Sequence, residues 1–361
     1  MYSLTRPYSS IILALLSLGL FFSITINAQI PPGYYDGTQG LSGTALKSAL
    51  HDIIKNHRSQ SYSSLWDHFE QTDKKGNGTV WDMYSDIPGG TPPYVYNFTA
   101  SDQCGTYSQE GDCYNREHSF PQSWFNSGMP MKSDLFHLVP TDGFVNGKRG
   151  DLPFGDVGAT TWTSMNGSKL GDCITSGYSG TVFEPIDGYK GDMARSFFYM
   201  ATRYYSEDGS WPGSPMVNGA EPLPWARDML MEWAENDPVS QKEINRNNAV
   251  YQIQDNRNPF IDHPEFIQSI WGSPSLIITE NSLQIHLWPV PFLDVVNISI
   301  PETILSKDLS VTVTDAAGKE IKADLDFGPD RVVIHTTTWP RGFYLFSIRS
   351  ENGVQVLRAI K

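Results

Sequence analysis

The chain has 361 residues, room for two or three domains at ~100–200 residues each. With 18% charged and 12% aromatic residues, 31 Gly and 24 Pro, the composition excludes collagen, low complexity and disorder. A net charge of −14, from 26 basic and 40 acidic residues, argues against holding nucleic acid or an anionic membrane through a broad basic surface.

At the N-terminus, Arg6 precedes an apolar run from Ile11 to Phe22, followed by small and polar residues ending at Ala28. The run is shorter than the roughly 20 residues that span a bilayer, so residues 1–28 are predicted to be a secretory signal peptide. No later stretch is apolar enough to cross a membrane, and no stable membrane span is expected. Export permits disulfides. Cys104 and Cys113 lie close enough in sequence to staple a polar loop, a closure worth roughly 2.5 kcal/mol in the simplest chain-entropy estimate. Cys173 is left over, and the spacing does not resemble a zinc site.

Leu46, Leu50, Ile53 and Ile54 form the stripe of an amphipathic helix. Alternation over Thr79–Tyr84 predicts a short strand. Helical spacing returns over Asp192–Tyr205, then over Trp225, Met229, Leu230 and Trp233 until Asp237-Pro238, and Ser240 with Glu243 reads as the capping box of a third helix. After Trp271 the pattern changes to short alternating strands with turn signals, a small all-β sandwich over 282–361 behind a linker at 273–281. The fold class is therefore α+β over 29–272, then all-β. From Thr279 the tail holds 8 basic and 10 acidic residues, so the acidity belongs to the larger region before it.

The densest cluster of reactive side chains is Tyr114-Asn-Arg-Glu-His-Ser-Phe-Pro-Gln-Ser-Trp124. A carboxylate beside an imidazole can divide labour, the first holding a hard cation and the second taking a proton from water. Neighbours on a regular strand point to opposite faces, so Glu117 and His118 serve one site only where the strand ends or kinks. About thirty residues on, Asn146 offers a neutral oxygen to a cation, and Lys148 and Arg149 offer charge to phosphate.

These two stretches, with Phe183-Glu-Pro-Ile-Asp187, Lys190 to Arg195, and Asp237 through Gln254-Asp-Asn-Arg-Asn-Pro to Pro264, resemble the endonuclease I family of secreted nucleases over roughly residues 41 to 272. The resemblance implies a ββα-metal (His-Me finger) core and a metal-dependent, sequence-nonspecific endonuclease acting on DNA and possibly RNA. It implies 5′-phosphate products, His118 as general base, and Glu117 and Asn146 as ligands of one Mg²⁺, with Ca²⁺ or Mn²⁺ as alternatives. Arg149, Lys148 and Arg116 are expected near substrate phosphates, and His137 either supports the site or packs beneath it. A structural ion-pair network is expected for Glu184, Asp187, Asp192 and Arg195. Asn256, Arg257 and Asn258 either order their own loop or touch the nucleic-acid backbone.

The tail, through Trp288-Pro-Val-Pro-Phe292, Asp315-Ala-Ala-Gly318, Arg341-Gly-Phe-Tyr-Leu345 and Val356 to Lys361, resembles the C-terminal sorting domain of the type IX secretion system of Bacteroidetes. With the signal peptide it implies the type IX machinery as partner and a secreted or cell-surface location. The rival readings are a noncatalytic polymer-binding adhesin and a metal phosphodiesterase on small nucleotides.

Overall fold

A computed structural model describes residues 30–272, 285–299, 309–315, 318–328, 331–350 and 353–361. The expected signal peptide and linker lie outside the described residues. The chain divides into two compact units, one ending at Trp271 and one beginning at Gly272.

In the first unit, α1 (Gly43–Ile54) buries Leu46, Leu50 and Ile54, as their spacing requires. The central element is α4 (Asp187–Arg203), whose Phe197, Phe198, Tyr199, Met200 and Ala201 are all buried. Every residue from Met193 to Arg203 is buried, charged ones included, and α4 packs against α1, α5 (Pro224–Asn236) and α7 (Pro259–Asp262). Pro224 opens α5 at a position where a missing N–H costs nothing. The expected capping box opens α6 (Gln241–Gln254): Ser240 Oγ accepts from the Glu243 amide, and Glu243 accepts from the Ser240 amide. Two further helices, α2 (Leu65–Thr72) and α8 (Glu265–Trp271), pack on α6 and α1.

Strand β1 (Tyr114–His118) pairs antiparallel with β2 (Leu138–Asp142), Glu117 opposite Val139 and His118 opposite Leu138. β2 runs directly into α3 (Gly143–Arg149), giving a ββα unit. Asp142 makes that junction: its Oδ1 accepts from the Val145 amide at 2.8 Å, and its Oδ2 from Tyr96 Oη at 2.6 Å and the Gly111 amide at 2.8 Å. A Cβ at Gly147 would meet Tyr107 Oη at 2.2 Å, so the helix needs glycine where that ring lies. The disulfide between Cys104 and Cys113, Cα atoms 5.7 Å apart, sits immediately before β1; Cys173 is free.

A three-stranded sheet of β3 (Val157–Thr163), β4 (Lys169–Cys173) and β5 (Thr181–Glu184), and a two-residue ladder of β6 (Val217–Asn218) with β7 (Glu221–Pro222), complete the unit. The second unit is a sandwich. One sheet has the order β11 (Glu320–Ile321), β10 (Ser310–Asp315), β14 (Phe343–Ser350), β15 (Gly353–Ile360); the other has β12 (Asp324–Phe327), β13 (Arg331–His335), β9 (Val295–Ser299), β8 (Leu287–Trp288). Alternate residues Val296, Ile298, Val332, Ile334, Phe346 and Ile348 fill its core with Phe292 and Trp339.

The strand expected over Thr79–Tyr84 does not form. Val80 makes one isolated bridge to Lys74, and the chain then curls because Asp82 Oδ1 accepts from the Tyr84 amide at 2.8 Å while the Asp82 carbonyl accepts from the Asp86 amide at 2.9 Å. Asp82 is buried with its Oδ2 unpartnered. Burial, reinforced by the charge of Asp142, pushes its carboxyl up to about 7. A carboxyl raised in the folded state keeps its proton while the unfolded chain loses it, so it withdraws stability as pH climbs from about 4 to about 7. Asp82→Asn keeps the turn acceptor and cannot ionise. It is expected to gain about 2–4 kcal/mol on the wild type between those limits, measured by urea unfolding at pH 4.5, 6 and 8; a pH-independent difference would contradict the assignment.

Candidate active site at the end of the first finger strand

Side chains alternate along β1. Asn115 and Glu117 face α3, where Asn146 Nδ2 donates to Asn115 Oδ1 at 2.7 Å and Arg149 Nη1 donates to Glu117 Oε1 at 3.1 Å. Asn146 and Arg149, three apart on a helix, share that face. Arg116 and His118 take the other face, toward Tyr62. The strand ends at His118, so the carboxylate and the imidazole leave its last two positions from opposite sides.

Glu117 is buried, and desolvation pushes its carboxyl up to about 7 despite the neighbouring guanidinium of Arg149. Its Oε1 also accepts from Tyr84 Oη at 2.8 Å; the other oxygen has no protein partner among the described residues. Asn146 Nδ2 donates to Asn115 Oδ1, and in this arrangement Asn146 Oδ1 has no protein donor among the described residues. One carboxylate oxygen and one amide oxygen, both hard, make a donor set that fits a divalent cation content with water and phosphate for its remaining ligands. No cluster of three or more His, Cys, Asp or Glu suited to a metal exists among the described residues.

His118 is buried, and desolvation, followed by the neighbouring His137, holds its pKa well below the usual histidine range. The imidazole is therefore neutral at neutral pH. Its Nε2 lies 3.1 Å from the Lys132 carbonyl. A carbonyl only accepts, so Nε2 carries the hydrogen and Nδ1 keeps its lone pair. His137 is held the same way by the adjacent carbonyl, Met131 O, at 2.7 Å. One short 3-10 turn, Met131–Ser133, thus orients both rings, whose centroids are 5.5 Å apart. His137 is itself buried and packs on Phe125.

Arg149 is not where phosphate could reach it. It is fully buried, its Cζ 4.4 Å from the Phe154 ring centroid, and its donors go to Glu117, to the His118 carbonyl at 2.8 Å and to the Ser119 carbonyl at 2.7 Å. Burial of the paired carboxylate draws it inward. Lys148 stays exposed over Phe144 and Trp162, and Arg116 lies half-buried against Tyr62 and Trp66.

Other expected residues are structural here. Arg195 is closed on Glu243, Asp192 on Lys242, and Glu184 with Asp187 on Lys190. Asn256, Arg257 and Asn258 are buried and order their own loop: Arg257 pairs with Asp262, and Asn258 caps α7. Sequence reasoning missed Tyr84, Tyr62 and Lys132, which carry no local signal because each reaches the site from a distant segment.

The Endonuclease I family model matches residues 42–265. The chain belongs to the Endonuclease I family. It is 35% identical over 74% of its length to an extracellular ribonuclease of Bacillus amyloliquefaciens, covering 89% of that protein. It is 36% identical over 66% of its length to an extracellular ribonuclease of Bacillus subtilis (strain 168), covering 78% of it. An extracellular deoxyribonuclease of Aeromonas hydrophila is 26% identical over 37% of this chain and 50% of its own. Residues 286–361 match the secretion system C-terminal sorting domain. The protein is thus an endonuclease of a generally divalent-metal-dependent family, acting on nucleic acid and carrying a tail for type IX export to the medium or cell surface.

Removing Arg149 leaves Glu117 buried without its counter-charge. Arg149→Met is expected to cost about 3–5 kcal/mol of stability at pH 8, read by denaturant unfolding. A variant as stable as wild type but weaker in substrate binding would return Arg149 to the phosphate role.

Proposed function

We propose that the protein hydrolyses phosphodiester bonds of both RNA and DNA without sequence preference, with His118 as general base and Glu117 and Asn146 holding one divalent ion, Mg²⁺ in the first instance. The observation that carries this reading is the 3.1 Å contact between His118 Nε2 and the Lys132 carbonyl, from which the tautomer of His118 follows. The Lys132 carbonyl takes the Nε2 hydrogen, so Nδ1 of a neutral ring receives the proton from water as the water oxygen attacks phosphorus in line. Tyr84 and Arg149 hold one oxygen of Glu117 and leave the other to the cation. Asn115 turns the Asn146 amide so that its oxygen is offered to the same ion. Bound there, the ion would supply positive charge against the charge that develops on the phosphate and on the departing 3′ oxygen. The products then carry a 5′-phosphate. RNA stands beside DNA because relatives of this chain are named ribonucleases and another a deoxyribonuclease.

Purified protein is expected to nick plasmid DNA and degrade ribosomal RNA in Mg²⁺, to stop in chelator, and to lose about 10²–10⁴-fold in rate as His118→Ala. Undiminished cleavage by His118→Ala would refute the base assignment, and activity on one polymer alone would narrow the substrate.

A further inference from the structure

In a chain of net charge −14, most buried arginines are spoken for: Arg149, Arg195, Arg246 and Arg257 each close on a carboxylate. Arg116 and Lys132 make no ion pair among the described residues. Arg116 is nevertheless half-buried. Both cations converge on one ring. The Arg116 Cζ lies 3.7 Å from the Tyr62 ring centroid and 4.5 Å from that of Trp66, and Lys132 Nζ lies 5.0 Å from Tyr62. Tyr62 is also stacked on His118, centroids 6.0 Å apart and planes 23° from parallel.

The ring cannot drift. Arg116 Nη1 donates to the Tyr62 carbonyl at 2.8 Å, and Ser133 Oγ, from the turn that orients His118, donates to the Gln60 carbonyl at 2.7 Å. Leu65 and Phe69 anchor the following helix in the core. Only one of the five N–H groups of the guanidinium is spent on a partner among the described residues. Arg116 and His118 share a strand face two residues apart, roughly 6.6 Å, a spacing comparable to that of successive phosphates on one nucleic-acid strand.

We infer that Tyr62, Arg116 and Lys132 form a clamp for a phosphate that flanks the scissile one, with Tyr62 as the positioning residue that holds both cations beside His118. The inference rests on the nuclease reading and deepens it: the substrate is a polymer with at least one phosphate beyond the bond that is cut. Part-buried cations lying on aromatic faces, without carboxylate partners among the described residues, gain most from an anion supplied by the ligand. Lys132 couples the two tasks, since its carbonyl fixes the His118 tautomer while its ammonium faces the ring.

The test compares a 20-mer oligonucleotide with bis(p-nitrophenyl) phosphate, a diester with no flanking phosphate, in the full-length protein. The ratio of the two kcat/KM values is expected to fall about ten-fold toward the small diester in Lys132→Gln and in Tyr62→Leu, chiefly through KM for the oligonucleotide. Tyr62→Phe, which keeps ring and carbonyl, should restore the ratio. The slope of log KM against log salt should drop by about one in Lys132→Gln. Anisotropy of a fluescently labelled oligonucleotide in chelator should show the same loss of binding, independent of catalysis. An unchanged ratio and salt slope in Lys132→Gln and Tyr62→Leu, or equal losses on both substrates that Tyr62→Phe does not repair, would overturn the clamp. A wild type that binds the oligonucleotide through these residues but cleaves neither substrate would sink the nuclease reading and leave the clamp standing.

Discussion

The finger depends on one buried ion pair. Arg149 ends α3 and reaches back to Glu117 and to the carbonyls of His118 and Ser119, so a single guanidinium joins the helix to the end of β1. Two charges this deep cost several kcal/mol of hydration each, and their attraction repays that only when every donor finds an acceptor. The pairing is incomplete: Arg149 Nε has no partner, and Glu117 remains raised because burial outweighs its neighbour. A carboxylate in that condition would be stabilised by a further cation, which supports the metal role proposed for it.

Around this pair the protein separates two kinds of charge. On the α3 face of β1 lie the Glu117 carboxylate and the Asn115 amide, against Arg149 and Asn146; around Tyr62 on the other side, Arg116 and Lys132 have no counter-ion among the described residues. The chain's overall acidity therefore does not decide its partner. Long-range repulsion is screened over roughly 8–10 Å at ordinary salt, whereas the clamp acts within contact distance, so engagement of a polyanion is local and salt-sensitive.

Much of the fold was legible in the sequence. The stripe of α1, the Ser240–Glu243 capping box, the stop before Pro238 and the alternating strands of the tail each follow from residues within a few positions of one another. Where alternation failed, at Thr79–Tyr84, a local competitor won: the Asp82 side chain closed a turn that a strand pattern does not register. The β3–β5 sheet went unread because β3 carries no clean alternation and is largely exposed, with register shifts against β4. In the site, the motif residues around Glu117, His118 and Asn146 were visible, but Arg149 looked like a phosphate ligand because nothing in Asn-Gly-Lys-Arg says which cation turns inward.

What the sequence determined by itself is the chemistry available and its order along the chain: a carboxylate beside an imidazole, an amide and two cations thirty residues on, and a β-rich export tail. Tertiary structure alone decided who meets whom. Tyr84 bonds Glu117 across 33 residues, the Lys132 carbonyl holds His118 across 14, and Tyr62 receives Arg116 across 54. The physical reason is that a guanidinium or an ammonium can pair with a protein carboxylate or with a phosphate. Burial places Arg149 against Glu117 and so binds it into the scaffold, while Arg116 and Lys132, without an ion pair among the described residues, are the cations the proposed clamp gives to the ligand.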